Sequence, residues 1–168
     1  TMMLDSPKPI VCRIDGAVRG GGMGLVAASD VALASTSASF AFSEVRVGVA
    51  PAVISTPVLA KISRAAALEL FLSGRVFSAA EALAIGLINR TVEPSDLDDA
   101  VSSLLVELLQ GAPGAQAEAK RLISAVPRLD RQLGFEQMVE LSARLFSSPE
   151  GQDGIAAFRE RRSPSWSR

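Results

Sequence analysis

Gly20, Gly21, Gly22 and Gly24 crowd into five positions ahead of the apolar run "LVAAS", and one carboxylate, Glu44, follows among Phe40, Phe42, Val45, Val47 and Val49. A glycine run at a helix start presents bare N–H groups, and the helix dipole adds partial positive charge. Such donors matter most where negative charge develops on a carbonyl oxygen. A side chain there would block the approach, which accounts for repeated glycine. The plain alternative is a tight strand-to-helix turn with close packing, since glycine is the default turn residue. Glu44 divides in the same way. A carboxylate with so much apolar company suits general acid/base work; a surface glutamate paired with Arg46 fits the spacing too. The residues alone leave both questions open.

Other chemistries are narrowed by what the motif lacks. "GMGLVA" (22–27) satisfies G-x-G-x-x-A, the dinucleotide fingerprint. A dinucleotide loop follows its strand at once, however, and its second strand ends in an acidic residue; here the loop starts late and no Asp or Glu lies between Asp30 and Glu44. No Lys-Ser or Lys-Thr follows the glycines, so the phosphate-loop pattern fails. The chain has no histidine, which removes His-based triads and His-ligated metals, and Cys12 is its only cysteine, which removes an intrachain disulfide and Cys metal clusters. No metal site is expected. A lone thiol fits a reducing, cytoplasmic setting. Lys plus Arg number 17 against 18 Asp plus Glu, so a nucleic-acid surface is not expected. No apolar stretch is long enough for a membrane span, and "TMMLDSPKP" lacks the pattern of a signal peptide.

These residues need elements to hold them. At 168 residues and 48% hydrophobic, the chain is long enough for a real core. "PIVCRID" (9–15), "DVALAS" (30–35), "ASFAF" (38–42) and "LINRTVE" (87–93) read as strands. "MGLVAAS" reads as a short helix behind the glycine loop, and "EVRVGVAP" as a loop with one turn of structure. "AVISTPVLAKI" starts or kinks at Pro57. "RAAALELFLSG" stops on Gly74, and "SAAEALAIG" opens with a Ser78–Glu81 capping box and stops on Gly86. Helices are expected over 95–110, 113–126, 130–147 and 150–162. The pattern is α/β: a core over 1–94, then a helical region over 95–168 serving assembly.

"SPKPIVCRIDGAVRGGGMGLVAASDVALASTSASFAFSEVRVGVAP", followed by "LSGRVFSAAEALAIGLINRTV", resembles the enoyl-CoA hydratase/isomerase (crotonase) family, and "GIAAFRERRSPSW" resembles its closing segment. The resemblance implies a crotonase-like core of stacked ββα units, incomplete at the N-terminus, and a homotrimer or dimer of trimers. It implies an acyl-CoA thioester as substrate, with coenzyme A part of the substrate and no separate cofactor. Gly21 falls on the position whose N–H forms half of the family's oxyanion hole. Glu44 falls on the second of two catalytic glutamates, the one serving the α-carbon. Gly20, Gly22, Gly24 and Ala52 fall along the substrate site, and Phe158 and Arg161 near the CoA of the same or a neighbouring subunit.

Two departures bear on mechanism. The family's other catalytic glutamate falls on Gly24, so Glu44 stands alone. Members also carry a sizeable section ahead of this point, which supplies the second oxyanion donor; the expectation is that this chain is a fragment, or that the section is a separate chain or was cut away. "SEVRVGVAPAVIS" is most similar to bacterial members named methylglutaconyl-CoA or enoyl-CoA hydratase. The resemblance thus implies a lyase hydrating a 2-enoyl-CoA. The alternatives are a Δ3,Δ2-enoyl-CoA isomerase using Glu44 alone and a catalytically inactive acyl-CoA-binding homologue.

Overall fold

The computed structural model describes residues 1–167. In chain order come α1 (Met2–Asp5), β1 (Val11–Ile14), β2 (Ala17–Arg19), α2 (Gly21–Ala28), β3 (Val31–Ser35) and β4 (Ser39–Ala41). A 3-10 helix, Ser43–Val47, leads to α3 (Ala52–Val58), α4 (Arg64–Ser73), β5 (Phe77–Ser78), α5 (Ala79–Ala84) and β6 (Arg90–Val92). Four longer helices follow: α6 (Leu97–Leu109), α7 (Pro113–Ala125), α8 (Arg131–Ser147) and α9 (Pro149–Glu160). The order is α/β with a helical C-terminal region, as expected. No helix among the described residues is long and apolar enough to cross a membrane.

Strands β1, β3 and β6 form one parallel sheet, with Val11 beside Val31 and Leu33 beside Arg90. Strands β2, β4 and β5 form a second, parallel between β2 and β4 and antiparallel between β4 and β5. Each turn of chain therefore contributes one strand to each sheet, and successive ββ pairs stack strand on matching strand. Parallel neighbours need a crossover, and α2 supplies it: it carries the chain from β2 back to β3. Between the elements lies a core of Met23, Val26, Leu33, Phe40, Phe42, Ile54, Val58, Phe77 and Leu87, all buried. Phe40 and Phe77 stack at 5.7 Å between ring centroids, and Phe42 meets Phe71 at 4.6 Å.

Two strands were not visible in the pattern. The pattern shows no strand over 17–19, just ahead of the glycines, and marks Ser78 only as a helix cap. Both are too short, at three and two residues, to show a period-2 alternation. Ser78 serves twice: it ends β5 and caps α5, its hydroxyl accepting from the Glu81 N–H while Glu81 reaches back to the Ser78 N–H. The helix behind the loop starts at Gly21, two residues earlier than the Met23 start that the pattern gives, so the glycines form its first turn.

The chain divides into two compact units. One comprises Thr1–Asp5 with Ile10–Leu104; the other comprises Ser6–Pro9 with the described residues from Leu105 onward. The second is helical, and its C-terminal segment is tied down locally. Asp153 accepts from Arg162 and from the Ser165 N–H, and the Trp166 indole N–H donates to the Gln110 carbonyl.

Candidate active site

The glycine turn is shaped by position. Gly20, the N-cap of α2, sits at φ 50°, ψ −127°, a conformation open to glycine and strained for other residues. Gly21 is the first helical residue; its own backbone is ordinary, and a Cβ there would meet nothing within 4 Å. Gly22 packs on Val18 and Gly24 on Ile54, where a Cβ would stand 3.2 Å from Val18 Cγ1 and 2.7 Å from Ile54 Cγ2 respectively. The first N–H groups of a helix have no intrahelical acceptor. The Met23 N–H finds the Gly20 carbonyl at 2.9 Å. Gly21 is exposed and stands at the positive end of the helix dipole.

The carboxylate comes to this turn from another element. The buried Phe42 follows β4, and the 3-10 helix after it carries Glu44 back over the glycines. A Cβ at Gly20 would lie 3.9 Å from Glu44 Oε1. The other oxygen, Oε2, is buried and has no hydrogen-bond partner among the described residues. An unsatisfied buried carboxylate oxygen costs free energy, and such atoms call for a functional account. Arg46 does not supply the partner: its Nε donates to the Gly74 carbonyl at 2.9 Å. The glutamate–arginine pair entertained from the spacing is thereby corrected.

Both halves of the site are held by side chains that the motif did not single out. Arg19 stands directly before Gly20 and donates to the Val18 carbonyl and to both the carbonyl and the hydroxyl of Ser39. It clamps the glycine turn to β4, the strand that leads to Glu44. At the far end of α2, Lys61 donates to the Ser29 carbonyl at 2.7 Å, and the Asp30 carboxylate accepts the Ile10 N–H. Burial pushes the Lys61 ammonium below its usual range and the neighbouring Cys12 thiol above its own. The signal for Arg19 was present, a charged residue inside an apolar strand, but its use was invisible until β2 and β4 were paired.

The arrangement can therefore polarise a carbonyl at the helix start and move a proton with the adjacent carboxylate. The whole chain, residues 1–168, matches the family model described as enoyl-CoA hydratase/isomerase. The chain belongs to the enoyl-CoA hydratase/isomerase family. Carnitinyl-CoA dehydratase of Proteus mirabilis is 32% identical over 173 residues, covering 99% of this chain and 66% of that protein. An enoyl-CoA hydratase structure from Shewanella pealeana superposes with TM-score 0.91 at 37% identity, covering 98% of this chain and 62% of that one. An enoyl-CoA hydratase/isomerase from Marinobacter aquaeolei superposes with TM-score 0.93 at 33% identity, covering 99% and 63%. The crotonase fold is thus established, and the chain spans 62 to 66% of the length of the first curated relatives it matches.

Within this crotonase-fold chain the expected residues separate into two groups. Gly20, Gly21, Gly22, Gly24 and Glu44 lie together in the first unit, and Ala52 opens α3, the helix that presents Ile54 to Gly24. Phe158 and Arg161 lie in the second unit, Phe158 exposed on α9 and Arg161 at its C-cap with φ 54°. An open apolar groove of 480 Å³ also lies in the first unit, lined by Leu59, Ile62, Arg64, Ala67, Leu68, Phe71 and Leu72.

Proposed function

We propose that this protein interconverts a 2-enoyl-CoA thioester and its 3-hydroxyacyl-CoA hydrate. The thioester oxygen accepts the Gly21 N–H at the start of α2. As water adds its oxygen at C3, Glu44 takes one of the water protons, the C2=C3 electrons move into the thioester as an enolate, and Glu44 then delivers that proton to C2. In the reverse direction Glu44 removes the C2 proton and hands it to the C3 hydroxyl, which leaves as water. The observation that carries this reading is the buried, unpartnered Oε2 of Glu44 beside the glycine turn. Each oxyanion donor lowers the barrier by about 3 kcal/mol in comparable sites. The dehydratase and hydratase names of the relatives support the same lyase chemistry.

A second reading, Δ3,Δ2-enoyl-CoA isomerisation, is favoured by one contact. Ile54 Cγ2 fills the space that a side chain at position 24 would take. Position 24 therefore contributes no carboxylate, and Glu44 must handle every proton unless another chain helps. Isomerisation asks only that: one carboxylate takes a proton from C2 and returns it at C4. Product analysis separates the two. Incubation with crotonyl-CoA should yield 3-hydroxybutyryl-CoA, heavier by one water. A shifted double bond from a 3-enoyl-CoA, with no hydrated product from either substrate, would replace the lyase reading with the isomerase.

A further inference from the structure

The 3-10 helix that carries Glu44 is five residues long and buries none of them. A helix that short does not hold its own shape in water. Its aim must be set from outside, and α4 supplies both fixings. On the upstream side Phe42, fully buried, packs against Phe71. On the downstream side the Arg46 guanidinium donates Nε–H to the Gly74 carbonyl at the C-terminus of α4. A cation at a helix C-terminus also meets the negative end of the dipole.

The fit at Gly74 is close. This glycine is buried and left-handed, at φ 57°. A Cβ there would stand 3.0 Å from Val45 Cγ2, 3.1 Å from Arg46 Cγ and 3.2 Å from Arg46 Nε. The two residues after Glu44 thus lie directly on the Gly74 backbone. Gly48, at φ 79°, closes the 3-10 helix with its N–H on the Val45 carbonyl, and the Val49 N–H takes the Glu44 carbonyl at 3.2 Å. Arg46 makes no ion pair with a carboxylate among the described residues, so its charge is not committed to a surface pair.

We infer that Arg46 is a positioning residue: by latching the 3-10 helix to the Gly74 carbonyl, it fixes the direction in which Glu44 presents its carboxylate. It acts through the backbone, without touching the substrate. The inference rests on the reading of Glu44 as the proton carrier at C2, and the test keeps the two apart.

The probe is butyryl-CoA in deuterium oxide, followed by NMR at C2. Glu44 takes one C2 proton, the electron pair of that C–H bond enters the enolate, and a deuteron from the exchanged carboxyl returns to C2. This exchange needs neither hydration nor a double bond, so it serves under both functional readings. A carboxylate held on one face should exchange one of the two C2 hydrogens in strong preference. Glu44→Gln should abolish the exchange; exchange at the wild-type rate in that variant overturns the functional reading itself. With Glu44 established, Arg46→Met should slow exchange by about 100-fold, the effect of roughly 1 Å of misplacement, and should erode the preference between the two hydrogens. Arg46→Lys, which keeps a cation but not Nε, should fall between the two. A loss of folded protein lowers the rate and leaves the preference untouched. Wild-type preference in both Arg46 variants therefore overturns the inference, whatever their rates. Gly74→Ala, which pushes on the same contact from the α4 side, should erode the preference in the same way and provides an independent reading.

Discussion

Gly21 is the position where a structural and a chemical account of the glycines part. Gly20 needs its φ, and Gly24 needs its contact with Ile54, but nothing in the fold requires glycine at 21. Gly21→Ala should therefore fold with unchanged or slightly raised stability, by up to about 1 kcal/mol, and should lose turnover because the new methyl intrudes where the thioester oxygen docks. Full activity in that variant would remove Gly21 from the mechanism. Gly24→Ala should do the opposite. It should lower stability by about 1 to 3 kcal/mol through overpacking against Ile54, read by urea unfolding. Much of this was legible in the sequence, because glycine identity and the apolar neighbours of Glu44 are written there. What was not legible was direction. The spacing allowed Arg46 to pair with Glu44, and only the fold sends it to Gly74.

Elements were legible in proportion to their length. The capping box at Ser78 and the stop at Gly74 fall where the pattern placed them, because both depend on local backbone chemistry. β2 and β5 were missed because they exist only through pairing with β4. The consequence is functional: without β2 there is no reason to assign Arg19 its clamp on Ser39. Arg19→Ala should loosen the glycine turn more than the fold, lowering kcat with a thermal midpoint changed by only a few degrees. A midpoint collapse, with kcat per folded molecule intact, would reduce Arg19 to a plain structural tie.

In the helical region, Asp153 is held down to about 2 by the Ser165 N–H and the Arg162 guanidinium. A carboxylate depressed in the folded state stabilises above its unfolded value of 3.8 and loses that contribution as pH falls toward about 2. The segment around Trp166 should therefore come loose across that acid window. Trp166 is the only tryptophan, so the fluorescence reports the surroundings of this segment. Asp153→Asn should show the loosened signal already at neutral pH; emission unchanged in that variant would mean that the Gln110 contact suffices.

At the scale of the whole molecule, two stacked ββ pairs place a helix start and a short 3-10 helix side by side, although they are far apart in the chain. Neither half of the site is distinctive alone. A glycine turn serves many folds, and a glutamate among valines usually has a bland role. Under the proposed function their meeting gives the pair its chemistry, and pairing of β1 with β3 and β2 with β4 produces that meeting. The resemblance to crotonases anticipated this stacking, while the residues alone left it open. The homotrimer or dimer of trimers implied by that resemblance remains our proposal for the assembly, and sedimentation of the native protein should give a multiple of three subunits.

The account turns on one carboxylate. The most direct measurement compares the purified native protein with its Glu44→Gln variant on crotonyl-CoA and on a 3-enoyl-CoA, with products identified by mass and retention. Turnover in the native protein that falls by about 100-fold or more in the variant, with folding preserved, is the predicted result. A variant that turns over either thioester at the native rate would contradict the central claim that Glu44 moves the proton.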